Sequence, residues 1–450
     1  MTERYPNRHH VYRTLLIAGL LIFFAREWIS VRSYYQSGHK RDYVRWYRIG
    51  RMMLDGEPLA NPQGAGAVGM DDDAGKAAFF KLPPPYAVYI APLTLLSEFD
   101  YLRVYYWLCV GCFALSLFLR VRTVTGRWLP ENPWLMVIPT VGAIAFALDD
   151  LHNGNNNLLI LIFVMVGAFF AARPGLRNEI LAGLGLGMAV ALKAFPMALV
   201  AVLPAMRRWR LAGWSLAGIV FWTLLVPGFA RAPTVGGVPE GFQATWTDTW
   251  NWGQRIIMPY FKGQSRTQWS EKGVSIRNHS LWATVQRYAR PVDAMGEWPE
   301  EDDIYVNVMD VSSKTASLIF LGLTVGLVAA IAAVCYRRTP GATGPLTTAI
   351  DLSIGMLFVL LASPLAWAYF FSLLLLPFCV AAYVMFALRD RGPSKLCLGA
   401  FIATIPLFIL SLFPLFQALG FMTWTTLMWF VVLLFLRRRA DWIERVRAEE

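Results

Sequence analysis

Apolar runs of membrane-crossing length recur along almost the whole chain, and no other feature constrains its fold as strongly. They cover residues 14–31, 83–98, 102–120, 133–149, 157–172, 180–204, 211–230, 315–336, 347–363, 366–388, 395–416 and 418–436. A helix needs roughly 17–25 apolar residues to cross the hydrocarbon, where each backbone N–H and C=O must be bonded within the segment. The chain is therefore expected to be an all-α polytopic membrane protein, a bundle of about 12 transmembrane helices forming a single domain over residues 1–450. Segments 83–98 and 157–172 are short for a bilayer, so half-helices packed inside the bundle are the alternative there. With 56% hydrophobic and 16% charged residues, an ordinary soluble domain is excluded.

The net charge of +11 is gathered in short runs between apolar segments: Arg207-Arg208-Trp209-Arg210, Arg337-Arg338, Arg389-Asp390-Arg391 and Arg437-Arg438-Arg439. Membrane orientation explains such runs, and no basic stripe or binding motif points to nucleic acid as a partner. On the span count they all fall on one side, with Arg4, Arg8 and Arg13, and that side is read as the cytoplasm. The first apolar run lacks a small-residue cleavage site and reads as a retained span. The far side then carries two long loops, 32–82 and 231–313. A transporter keeps such loops short, whereas an enzyme working at the outer surface needs material there. All five cysteines lie in or beside apolar segments, so no disulfide framework is expected.

In the first loop, Tyr43, Trp46, Tyr47 and Gly50 recur at helical spacing, with Arg41, Arg45 and Arg48 on another face. This describes a short helix in the membrane interface, aromatic side down. Its one early carboxylate, Asp42, stands among cations that favour the ionised form, which suits a general base, although capping the helix is an equally good reading of the residue alone. Three polar groups lie in or beside apolar segments, where an unpaired group is costly. Asp149-Asp150-Leu151-His152-Asn153-Gly154-Asn155-Asn156-Asn157 is either a sugar-hydroxyl binding set or a polar turn. Lys193, in mid-span beside Pro196, is too deep to snorkel easily and calls for an anion such as a lipid phosphate. Arg277-Asn278-His279-Ser280 ends the second loop, and His279 is either an acid–base group or an ordinary loop residue. The acidic runs Asp71-Asp72-Asp73 and Glu300-Glu301-Asp302-Asp303 read as solvated loop, so neither metal nor cofactor is expected.

Walker, His-Glu-x-x-His and Gly-x-Ser-x-Gly motifs are absent. Instead, an ordered series runs from Asp42 with Tyr47-Arg48-Ile49-Gly50-Arg51-Met52-Met53-Leu54-Asp55-Gly56-Glu57-Pro58, through Pro83-Pro84 and Ala91-Pro92-Leu93, to Gly154-Asn155-Asn156-Asn157-Leu158-Leu159. It continues with Leu192-Lys193-Ala194-Phe195-Pro196, Asn278-His279-Ser280-Leu281 and Ser363-Pro364-Leu365-Ala366-Trp367. This series resembles glycosyltransferase family 87, the polyprenyl-phosphate-mannose-dependent mannosyltransferases of the GT-C superfamily. The resemblance implies a GT-C-type bundle in the plasma membrane with two long extracytoplasmic loops shaping the site. It implies an inverting transfer, usually of mannose, from a polyprenyl-phosphate donor to a glycan or glycolipid hydroxyl, with Asp42 as base. Arg41, Arg45, Lys81, Lys193 and Arg277 are then candidates for the donor phosphate, and Asn155, Asn157, Asn278, His279 and Tyr369 complete the candidate substrate-binding set. Tyr369 stands in for an acidic or histidine residue that the family often carries after Ser-Pro-x-x-Trp. Trp246, Trp250 and Trp252 are candidates for stacking on sugar rings or for interface anchoring. The rival readings are another lipid-linked sugar such as arabinofuranose, or a lipid-linked saccharide flippase in which Lys193 and Asp149 line the path. One internal conflict remains: the span count sends Asp149 to Asn157 to the cytoplasmic side, away from Asp42, unless neighbouring spans are re-entrant.

Overall fold

The computed structural model describes residues 6–38, 41–59, 82–128, 130, 132–254, 258, 274–295, 302–336, 344–388 and 392–443. Their regular structure is helical throughout, with no strand among the described residues. The order begins α1 (Pro6–Gln36), α2 (Asp42–Leu54), α3 (Pro85–Ile90, prolonged by a 3-10 turn to Leu95), α4 (Glu98–Thr125), α5 (Trp134–Asn153), α6 (Asn157–Ala171), α7 (Leu176–Leu192) and α8 (Met197–Val202). Next come α9 (Trp209–Val220), a π turn at Phe221–Leu225, α10 (Val226–Val235), α11 (Val238–Trp252) and α12 (Leu281–Ala289). The rest comprises α13 (Ser313–Tyr336), α14 (Pro345–Ala362), a 3-10 segment Ala368–Leu374 leading into α15 (Leu375–Ala387), α16 (Gly392–Leu410), α17 (Pro414–Ala418) and α18 (Phe421–Arg438). Among the described residues, 8 helices are long and apolar enough to cross a membrane, against the twelve spans expected.

Local chemistry sets several of these limits. Ser97 caps α4 by accepting from the Asp100 N–H at 3.2 Å, with Glu98 and Asp100 in the first turn, and Gly126 ends that helix at φ 76°. Ser280 caps α12 by accepting from the Ala283 N–H at 3.1 Å. At the centre lies α14, most of whose apolar stretch is buried, whereas α13 is almost wholly exposed around its circumference, as a lipid-facing helix would be.

Two expected spans are not single crossings. Residues 83–98 form α3 and its 3-10 tail, eleven residues from Pro85 to Leu95 that are too short to cross, entered through prolines that fix the turn. Residues 180–204 are broken at Lys193, whose backbone is extended (φ −162°, ψ 132°), with Pro196 just beyond, so that α7 and α8 run in opposite senses. The direction of α7 is set by its pairing with α9, whose start matches its own: Glu179 meets Arg210 at 3.0 Å, and Gly183 and Gly187 lie against Trp214 and Gly218. The segment 194–208 must therefore return to the end where α7 began.

A Cβ placed on Gly187 would come within 2.3 Å of the Gly218 carbonyl carbon, so the α7–α9 contact depends on bare backbone. Gly187→Val is expected to force the helices apart and to cost about 1–3 kcal/mol. The measurement is folded, monodisperse protein remaining after heating in detergent; wild-type retention would show that this close approach is dispensable.

Removing one crossing and adding another resolves the conflict over Asp149 to Asn157. α1 is antiparallel to α4, with Tyr106 Oη donating to the Phe24 carbonyl at 2.7 Å and Tyr35 Oη to Glu98 at 2.6 Å. α5 then returns to the end occupied by the close of α1, so Asp149–Asn157 lies beside α2 and not with the basic runs. At the far end, buried Asp351 accepts from Arg208 at 3.0 and 2.8 Å and from Arg437, which puts the Arg207–Arg210 and Arg437–Arg439 runs together, as expected from charge.

Candidate active site

α2 is not the interfacial helix expected from its pattern, because its aromatic face is covered by protein. Tyr43 and Trp46 are buried, the Tyr43 hydroxyl donates to the Leu151 carbonyl, and Trp46 Nε1 donates to the Gly154 carbonyl at 2.7 Å. Those acceptors are carbonyls at the C-terminal end of α5, where helical partners have run out. Gly154 is left-handed at φ 70°, and a Cβ there would meet the Tyr43 ring at 2.4 Å, so only glycine permits both the turn and the docking.

This docking brings Asp42 to the end of α5. Arg41 occupies the N-cap position and Asp42 is the first residue of the helix, where the dipole favours a carboxylate, so the capping position suggested by sequence belongs to its neighbour. Arg45 meets Asp42 at 3.1 Å one turn on. Arg41 donates to Asn153 Oδ1 and lies over the Tyr34 ring at 4.4 Å, while Asn153 donates to Asp149 at 2.8 Å. Arg41 and Arg277 both stand within electrostatic reach of Asp149.

Lys193 closes the other wall. At the break between α7 and α8, its ammonium donates to Asn157 Oδ1 at 3.1 Å and faces the Phe370 ring at 4.4 Å and the Tyr369 ring at 5.4 Å. Asp42 and Asp150 are the acids within its electrostatic reach. Asp150, absent from the set read off the sequence, is fully buried and binds the start of α6, accepting from Leu158 N at 3.0 Å and Asn157 Nδ2 at 2.6 Å. Asn155 is buried beside the Tyr369 hydroxyl, and its carbonyl accepts from Tyr105 at 3.2 Å. Asn156 secures the break by donating to the Leu192 carbonyl at 3.2 Å.

Asn278 and His279 take part as construction. The Asn278 carboxamide donates to the Pro364 carbonyl at 2.8 Å and accepts from Ala366 N at 2.9 Å, stitching the second loop to the Ser363–Ala366 turn. His279 is buried edge-on to Phe371, and its backbone N–H donates to Ala366 at 2.8 Å. Burial, then the nearby Arg287 charge, push its imidazole down to about 3, so it is neutral at physiological pH and has no proton to give as an acid. Arg287, which no sequence pattern marked, is fully buried and donates to the carbonyls of Ala418 at 2.8 Å, Ser275 at 2.9 Å, and Val274 and Asn278 at 3.1 Å. It holds the loop whose next residue, Arg277, stays exposed. A further buried pair, Arg231 with Asp248, fixes the exit from α2 through the Leu59 N–H, 3.0 Å from Asp248. Trp246 and Trp250 stack on one another on the exposed side of α11.

Lys81, the Asp71–Asp73 run and Glu300-Glu301 lie outside the described residues. Among the described residues no group of three acids, histidines or cysteines is placed to hold a metal ion.

One end of the bundle thus gathers an ionised acid at a helix start, an ammonium at a helix break and arginines from two loops. A model of glycosyltransferase family 87 matches residues 80–364, more than half of the chain. The chain belongs to glycosyltransferase family 87. It is accordingly a glycosyltransferase, and its family-87 match includes Asn155, Asn157, Lys193, Arg277, Asn278 and His279. Asp42 and Tyr369 lie outside the matched residues and enter the site by geometry alone. No curated protein and no solved structure matches the chain.

Proposed function

We propose that this family-87 chain transfers a sugar, mannose first, from a polyprenyl phosphate to a glycan or glycolipid hydroxyl, with inversion, on the extracytoplasmic side of the plasma membrane. The observation that carries the proposal is that Asp42 and Lys193, from opposite walls, meet within electrostatic reach at one end of a membrane bundle. A lipid-linked donor suits such a place, because its tail stays in hydrocarbon while its head group enters between helix ends. The acceptor oxygen attacks the anomeric carbon as the bond from that carbon to the phosphate oxygen breaks. Asp42 takes the hydroxyl proton, and the departing electron pair stays on the phosphate. The Lys193 ammonium, with Arg41, Arg45 and Arg277, offsets the charge that grows there. Attack from the side opposite the phosphate inverts the centre without a covalent enzyme intermediate. Asn155 and Tyr369 are placed to bond sugar hydroxyls.

The test is release of polyprenyl phosphate when purified protein receives a glycan acceptor and polyprenyl phosphates bearing mannose, arabinofuranose or glucose. Release with mannose is expected; release with arabinofuranose alone would change the sugar and keep the donor class. Turnover of a nucleotide sugar, with none of any lipid donor, would overturn the reading.

The side of the reaction has its own test. In a variant lacking the five native cysteines, a cysteine at Trp246 is expected to react with an impermeant reagent on intact cells and one at Trp209 is not. The reverse pattern would place the site in the cytoplasm.

A further inference from the structure

We propose that Asp150 and Asn157 are positioning residues that aim the Lys193 ammonium at the donor phosphate; this rests on the reading of Lys193 given above. The chain Asp150–Asn157–Lys193 is buried at both of its first members, and each link has one permitted direction. A carboxylate only accepts and an ammonium only donates. Asn157 lies between them, giving Nδ2 to Asp150 at 2.6 Å and offering Oδ1 to Lys193 at 3.1 Å, and the reverse orientation of the amide would oppose acceptor to acceptor and donor to donor. Asparagine is thus fitted to this position, whereas aspartate would face Asp150 with a second acid and alanine would leave both neighbours unserved.

Asp150 also accepts from the backbone N–H groups of Asn157 at 3.3 Å and Leu158 at 3.0 Å, so it cannot turn away. It fixes the start of α6, the start of α6 fixes the carboxamide, and the carboxamide takes one of the three ammonium hydrogens. The rings of Phe370 at 4.4 Å and Tyr369 at 5.4 Å bound the ammonium on other sides. The remaining hydrogens are thereby left to point toward the space shared with Asp42, which is within electrostatic reach. A helix cap alone would explain the backbone bonds to Asp150; it would not require the carboxamide to face Lys193.

A cycle of variants separates these roles, measured as donor kcat/KM on the purified full-length protein. Asn157→Ala is expected to lower it roughly 10- to 150-fold, the range for losing a hydrogen bond to a charged group. In the Lys193→Met background, Asn157→Ala should lower it by less than about twofold more, because a residue that acts through Lys193 has nothing left to act on. Equal losses in both backgrounds would make Asn157 merely structural and overturn the proposal. Asp150→Asn keeps an acceptor for Leu158 and so tolerates folding better than alanine; it should show the same dependence on Lys193. A second readout needs no substrate. With the lysines carrying 13C-methyl groups, the Lys193 resonance, assigned by its loss in Lys193→Met, should shift in Asn157→Ala and Asp150→Asn. An unmoved resonance would refute the relay. Unchanged donor kinetics in Lys193→Met alone would instead refute the phosphate role of Lys193, with the resonance still deciding the relay.

Discussion

Asp42→Asn should lower kcat for sugar transfer by at least about 100-fold, the typical cost of losing a general base. Asparagine preserves the shape of the side chain and still accepts hydrogen bonds, but it cannot take a proton from the acceptor hydroxyl. Two stabilising interactions are weakened with the charge. The Arg45 pair at 3.1 Å is partly exposed, and such pairs contribute about 0–1 kcal/mol. The favourable charge at a helix start contributes about 0.3–1 kcal/mol. The fold should therefore survive, and donor affinity should stay near wild type, because the phosphate is met by cations from other segments. The checks are steady-state kinetics with a lipid donor and thermal unfolding in detergent. Activity within about tenfold of wild type would remove Asp42 from the base role.

Lys193→Met should reduce donor kcat/KM by roughly 10- to 150-fold with the acceptor KM unchanged. Methionine keeps most of the length and packs well against the Phe370 and Tyr369 rings, so the change isolates charge. Stability moves little, since relief from burying an ammonium offsets the unpaired Asn157 oxygen. Whether the loss falls on KM or kcat reports when the contact matters: a kcat loss means the contact strengthens as charge develops on the leaving phosphate. Wild-type kinetics with a higher unfolding temperature would make Lys193 a structural partner of Asn157 and leave the phosphate to the arginines.

The Arg287 hub shows how a site can depend on a residue with no signal in sequence. It sits in a nine-residue amphipathic helix that reads as surface, and only the arrival of the 274–278 loop and α17 around it supplies carbonyls for its donors. His279 shows the reverse: residue type suggested an acid–base group, and packing against Phe371 and Arg287 holds it neutral.

The sequence by itself determined the material and the order of parts. Apolar runs without periodic polar relief admit only membrane helices; Gly183, Gly187 and Gly218 mark a close helix contact; and the ordered motifs named the family and placed Asp42 and Lys193 in its site. What the tertiary structure alone decided was which parts face each other. Sidedness is the parity of crossings, a property of the whole chain, so one short segment misread as a crossing reverses everything after it. Hydropathy cannot tell the eleven residues from Pro85 to Leu95, packed as a half-helix, from a short span, nor can it tell a helix broken at Lys193 from a continuous one. Both differ only in whether neighbouring protein satisfies the backbone ends. With those two segments settled, Asp149 to Asn157 moves from the far side to lie against α2, and the aromatic stripe of α2 turns from lipid to protein. The site exists because Tyr43 and Trp46 find the carbonyls that end α5, a match between residues 108 apart in the chain that no local pattern records.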